Sequence, residues 1–300
     1  MVNFWQKIRT SGLWLSIIAV VLSCVLIVEH GLVLGQDFTG GYVTEFQIVQ
    51  DLSADNLQRE LAPLVAGEFR LTHQGELQWQ LFQPPQSDIA EPLAWQSQLP
   101  ENLGLKILDS RYMGAQVGAE LIEQGGLALL VSLLAVGLYL IVRFEWRLAL
   151  SASLALLHDI VITVALFAVT GMEFDLTVLA ALLAIIGYSL NDSIIIGDKV
   201  RELVRIRPQA AVSETINEAL GSTLGRTTIT SSTTLTTVAA IWWLGGASLQ
   251  GFASALFVGI AVGTWSSIFV SATLPQWLGL SFANYQRNLS EQEQQQLAEP

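Results

Sequence analysis

Three charged side chains stand where the surrounding sequence is apolar enough to cross a bilayer, and their chemistry is that of holding or moving a charge. Asp192 lies in Gly187-Tyr188-Ser189-Leu190-Asn191-Asp192-Ser193, at the end of an apolar run that reaches back to Leu176. At about 1.5 Å per helical residue this run crosses the ~30 Å hydrocarbon core. An ionised carboxylate at the centre of such a helix costs about 2.5–3.5 kcal/mol, so it must be paired, protonated or water-facing. Four-residue steps back from Asp192 meet Tyr188, Ala184 and Ala180, a ridge of mostly small side chains that predicts a carboxylate facing protein. Two readings stay open, a hydrogen-bonded packing carboxylate and a group that titrates.

The second carboxylate, Asp159, follows His158 near the middle of another run, on a face with Ser151, Ala155, Thr163 and Phe167. The guanidinium is Arg226, at the start of a run crowded by Thr227, Thr228, Thr230, Ser231, Ser232, Thr233, Thr234, Thr236 and Thr237. It either snorkels to the headgroups or serves as countercharge to Asp192. Ala255, Gly259, Gly263 and Ser267 repeat at four-residue spacing, a helix-packing stripe expected to lie against the fourth or fifth span.

The elements that must position these groups are membrane helices. The chain of 300 residues is 52% hydrophobic and 13% charged, with mean hydropathy +0.50. These values describe an α-helical polytopic membrane protein. Six spans are expected, over 13–34, 126–142, 148–170, 176–197, 224–244 and 252–277. Residues 1–12 form a cytoplasmic N-terminus and 281–300 a disordered cytoplasmic tail. The first run follows Lys7 and Arg9 without a cleavage site and reads as an uncleaved span. Lys7, Arg9, Arg143, Arg147, Lys199, Arg201, Arg205, Arg207, Arg226 and Arg287 gather on one side, which places both termini in the cytoplasm.

Between the first two spans, residues 35–123 have soluble-type patterning: strands over 42–49, 69–72, 77–82 and 105–108, with helices over 54–64 and 89–99. This β-α-β-β-α-β order predicts a ferredoxin-like α+β periplasmic domain, a fold that does not specify a function. Asp37-Phe38-Thr39-Gly40-Gly41 reads as a glycine-permitted turn.

Several functions are disfavoured. The net charge of −12 does not suggest nucleic acid, and the single cysteine, Cys24, excludes an intrachain disulfide or thiolate cluster. His30 and His73 lack metal-ligand spacing, there is no nucleophile elbow, and neither a cofactor nor an enzymatic activity is expected.

In order along the chain, Gly35-Gln36-Asp37-Phe38-Thr39-Gly40-Gly41, His158-Asp159, Thr170-Gly171-Met172-Glu173-Phe174-Asp175-Leu176-Thr177, Gly187–Ser193, Thr223-Leu224-Gly225-Arg226-Thr227 and Gly263-Thr264-Trp265-Ser266-Ser267-Ile268-Phe269 resemble the SecD/SecF family of bacterial protein-export membrane proteins, within the RND superfamily. The resemblance implies a subunit of a SecD–SecF complex in the bacterial inner membrane. Its partners would be SecD, the SecYEG translocon, often YajC, exported unfolded polypeptides and membrane lipid. It implies use of the proton motive force to promote export, with Asp192 and Arg226 matching residues implicated in proton transfer. Asn191, Asp159 and His158 join them as candidates for proton coupling. Tyr42, Met113-Gly114-Ala115 and Gly197-Asp198-Lys199 depart from the family pattern. A proton-coupled exporter of small molecules and a passive assembly scaffold are the competing readings.

Overall fold

The computed structural model describes residues 2–49, 52–75, 77–85, 92–99, 104–207 and 210–280. The tail 281–300, with Arg287, and residues 89–91 of the helix expected over 89–99 lie outside the described residues. Long helices α1 (Val2–His30), α4 (Ala115–Arg143), α5 (Trp146–Thr170), α6 (Leu176–Ile206), α7 (Val212–Leu244) and α8 (Ala247–Ser266) form the bundle. A π-helical turn over Ser267–Ser271 and a short α9 (Leu274–Trp277) continue α8.

Among the described residues, five stretches are both long and apolar enough to cross a membrane: Phe4–His30, Gln116–Arg143, Trp146–Thr170, Leu176–Ile206 and Ala247–Trp277. The α7 helix matches them in length but not in hydropathy, because hydroxyl side chains fill its middle.

Several helices run beyond the apolar limits. The α6 helix continues through Asp198–Ile206, where Lys199 pairs with Glu202 at 2.8 Å and Arg201 with Asp198 at 3.6 Å, both at helical i,i+3 spacing. Charge pairs of this spacing favour helix where no breaker intervenes. The α7 helix begins at Val212 rather than 224, and α4 begins at Ala115, which carries it out of the bundle to the extramembrane domain.

The domain is a four-stranded antiparallel sheet of β1 (Gly41–Gln47), β2 (Arg70–Gly75), β3 (Gln78–Gln83) and β4 (Lys106–Met113) in the order β2-β3-β1-β4. Helix α3 (Ala54–Leu61) covers it through Leu57 and Leu61, which share a core with Phe46, Ile48, Trp79, Leu81 and Trp95. Between 92 and 99 the chain forms only a 3₁₀ turn, Ala94–Gln98, because Pro92 precedes it and the Gln83 amide holds the Pro92 carbonyl at 3.0 Å. The last strand is longer than its apolar residues suggest. Its polar half is paired to β1 by Thr44–Ser110 at 3.2 Å and by an Arg111–Glu45 ion pair.

The domain is fastened to the bundle by Gly35 to Gly41. The Gly35 amide donates to the Phe174 carbonyl at 2.8 Å, and the Asp37 carboxylate accepts from the Leu176 amide at 3.2 Å, the first residue of α6. A four-residue helix, α2 (Gln36–Thr39), ends at Gly40 with φ +66°, and its Phe38 carbonyl occupies the space a side chain at Gly118 would need. Phe38 stacks on Phe174, which meets Phe167 edge-on.

Candidate functional site

Asp159 centres a dry network that joins three helices, and its side chain is 0% exposed. Ser189 of α6 donates to Oδ2 at 2.5 Å, Ser266 of α8 donates to the same oxygen at 2.9 Å, and His158 Nδ1 lies 2.9 Å from Oδ1. The backbones approach because small residues line the contact. A Cβ built on Gly263 would stand 3.1 Å from Ser189 Cβ and 3.4 Å from Asp159 Oδ2. The His158–Asp159 contact lies within α5 and completes a set of three side chains around the carboxylate. His158 Nε2 is buried without a hydrogen-bond partner.

Asp192 is placed differently. It lies three residues beyond Ser189 on α6, so their Cβ atoms are about 5–6 Å apart on neighbouring faces. It is 3% exposed, its nearest electrostatic partner is Arg226 of α7, and the Thr227 hydroxyl faces it. Among the described residues no ion pair within 4.0 Å joins Asp192 to Arg226.

Arg226 is exposed and lines an open groove of about 410 Å³ with Ile195, Asp198, Lys199, Glu202, Ser222 and Thr223. The groove's carboxylates are already engaged. Asp198 pairs with Arg143 at 2.8 Å, and Glu202 with Lys199 at 2.8 Å. Arg226 itself joins no ion pair among the described residues.

Other candidates fall elsewhere. Asn191 is exposed, turned away from Asp192 by the ~100° step of the helix. Ala180 and Ala184 are also exposed, so the ridge stepping back from Asp192 is not covered within this chain beyond Tyr188, whose hydroxyl meets Thr234 Oγ1 at 3.3 Å. In the stripe on α8, Ala255 packs with Phe167, Val178 and Ala181, and a side chain at Gly259 would fall inside Ile185. Ser267 is 0% exposed and bonds within its own helix.

Ser189, Ser266 and Thr227 complete the site, and none stood out in the sequence. Ser189 sits three residues from Asp192 and Ser266 three from Gly263, but only the relative register of α5, α6 and α8 reveals that both reach Asp159.

Residues 98–281 match the family described as protein export membrane protein SecD/SecF, C-terminal. The chain is similar to protein translocase subunit SecF of Desulfurispirillum indicum, 35% identical over 281 residues and covering 90% of each chain. It is 37% identical over 286 residues to protein translocase subunit SecF of Pseudomonas aeruginosa, covering 93% of this chain and 92% of that one. A crystal structure of SecDF, a translocon-associated membrane protein from Thermus thermophilus, superposes with a TM-score of 0.81 at 32% identity. That match covers 92% of this chain and 38% of the SecDF chain.

Proposed function

We propose, from the premise that this chain belongs to the SecD/SecF family of protein-export membrane proteins, that it is the SecF-type subunit of a SecD–SecF complex promoting Sec-dependent protein export. In this reading it draws on the proton motive force across a bacterial inner membrane. The observation that carries the reading is Asp192, a buried carboxylate in an apolar helix, with Arg226 on the neighbouring helix α7 joining no ion pair among the described residues. Ionised Asp192 attracts Arg226, and protonated Asp192 does not, so each proton changes the force between α6 and α7. A proton crossing about 100 mV releases about 2.3 kcal/mol, enough to shift a packed helix contact. The start of α6 is tied to the extramembrane domain through Asp37, which gives the motion a route outward.

The α7 helix acts as the sixth span. Its hydroxyls donate to carbonyls of their own helix: Thr230 to Arg226 at 3.0 Å, Thr233 to Ile229 at 3.0 Å and Thr236 to Ser232 at 2.8 Å. Hydroxyls satisfied in this way are compatible with a hydrocarbon surrounding. The helix ends bearing Arg143, Arg147 and Arg207 face the cytoplasm, with both termini, and the sheet domain faces the periplasm. The domain's strand order, with α3 joining β1 to β2, supports a ferredoxin-like split β-α-β arrangement.

The exposed small face of α6, Ala180, Ala184, Gly187 and Asn191, is where a SecD helix would cover the site. SecYEG, YajC, lipid and unfolded exported polypeptides complete the environment. The test is proton uptake, read by a pH-sensitive dye, into liposomes holding this chain with SecD. Wild-type complex should take up protons and drive export of an unfolded precursor, and Asp192→Asn should do neither. Undiminished uptake and export by Asp192→Asn would overturn the reading, while dye efflux without precursor movement would favour a small-molecule exporter.

A further inference from the structure

At the basic end of the bundle a guanidinium is buried without an anion. Arg9 of α1 is 1% exposed. Among the described residues its one hydrogen bond is long, Nη1 to the Ala272 carbonyl at 3.4 Å, and its Nε and Nη2 have no partner. Among the described residues it joins no ion pair. The Asn217 side chain on α7 is likewise unmatched at both Nδ2 and Oδ1. Arg9 and Asn217 line one cavity of about 220 Å³, whose other walls are Trp5, Ile8, Leu220, Leu224, Ile268 and Phe269.

Buried polar groups in folded proteins are almost always paired, and an unpaired buried cation is the costliest exception. The unmatched atoms specify what would satisfy them. Nε and Nη2 form the fork that binds two oxygens of one phosphate, and the Asn217 amide adds a donor beside it. The apolar walls specify the rest of the ligand. Beside them Phe4 and Trp5 are 63% and 52% exposed, the amphipathic placement typical of a membrane interface.

We propose that this cavity binds an anionic phospholipid, with the phosphodiester on Arg9 and Asn217 and an acyl chain along Leu220, Leu224, Ile268 and Phe269. The site rests on the membrane-spanning reading of α1, and it lies apart from Asp192 and Asp159. A free phosphate offers nothing to the apolar walls, which is why a lipid is favoured over a soluble anion.

The test is native mass spectrometry of the delipidated complex with SecD, titrated with phosphatidylglycerol, phosphatidylcholine or inorganic phosphate. Wild type should retain phosphatidylglycerol about tenfold more tightly than phosphatidylcholine, and Arg9→Gln should lose that margin while Arg9→Lys keeps part of it. Gly221→Phe is a second probe that leaves Arg9 intact. Gly221 lines the cavity and a Cβ there meets nothing within 4 Å, so the ring should fill the acyl site without disturbing the fold. It should abolish lipid retention with an unchanged melting temperature. Equal retention of the two lipids by wild type, or unchanged retention in both Arg9→Gln and Gly221→Phe, would overturn the site. Displacement of lipid by inorganic phosphate would assign it to a soluble anion, and lipid binding by this subunit alone but not with SecD would assign it to the partner. Proton uptake is not expected to change in Gly221→Phe, so failure here is distinct from failure of the proton-coupling reading.

Discussion

The two buried carboxylates, one turn apart in depth, are built on opposite plans. Asp159 receives Ser189, Ser266 and His158 from three helices and touches no groove. Asp192 has a hydroxyl and a guanidinium on one neighbouring helix and lies near an open polar groove. A carboxylate with neighbours fixed on both oxygens resists a change of charge, because those neighbours must then reorient inside a packed core. A carboxylate with one distant countercharge can change state by moving a single helix. Under the proposed function the comparison predicts holding at Asp159 and switching at Asp192.

The largest effect that would break this assignment is at Asp192. Asp192→Asn keeps shape and hydrogen bonding and removes titration, so force-dependent export should vanish while SecD binding persists. Arg226→Met should be similarly damaging and Asp192→Glu partly active. Export assayed with and without an uncoupler measures this. Full force-dependent export by Asp192→Asn alongside loss in Asp159→Asn would exchange the two roles.

Next in size is the stability carried by Asp159. Asp159→Ala strands donors on three helices, and removal of one partner from a buried charged network costs about 3–5 kcal/mol. Melting of the purified protein should fall sharply, with Asp159→Asn intermediate because one amide oxygen can still accept from a serine. If Asp159→Ala melts with wild type, the network does not hold the helices.

These contrasts were only partly legible in the sequence. A carboxylate within an apolar run is visible from composition alone, which is how Asp192 and Asp159 stand out, and the opposing charge at Arg226 follows from depth. The partners of Asp159 were not visible. Ser189 and Ser266 look like any small packing residues until α6 and α8 are set beside α5 in register. At Ala180 and Ala184 periodicity reports that a face is small, not which chain covers it. Helix ends shifted for a related reason: apolar runs mark what lies in hydrocarbon, whereas α6 and α4 continue into water through charge pairs and polar turns.

A smaller effect sharpens the packing side of the comparison. Gly259→Leu would drive a branched side chain into Ile185, and overpacking of this kind costs about 1–3 kcal/mol. The variant should accumulate less and melt lower while retaining residual proton uptake, since Asp192 is untouched. Normal accumulation and melting would mean that α8 can shift away from α6 freely.

The smallest effect on stability tests how the switching region reaches the domain. Asp37 accepts from the first amide of α6, and Asp175 already caps the same end through Val178 at 2.9 Å. Loss of one of two acceptors at a helix start costs about 1 kcal/mol, so Asp37→Ala should fold and melt almost normally. Under the proposed function the tie also has a mechanical role. Gly35 to Gly41 leads directly into β1, the strand paired to both β3 and β4, so a displacement of the α6 start is delivered to the centre of the sheet. If that contact transmits the motion, Asp37→Ala should take up protons at nearly the wild-type rate while export per proton falls, a separation that neither Asp192→Asn nor Asp159→Ala can produce. Measuring both rates in the same liposomes decides it. Equal losses in uptake and export would mean that Asp37 merely supports the helix, and unchanged export would move the coupling to the Gly118 contact between α2 and α4.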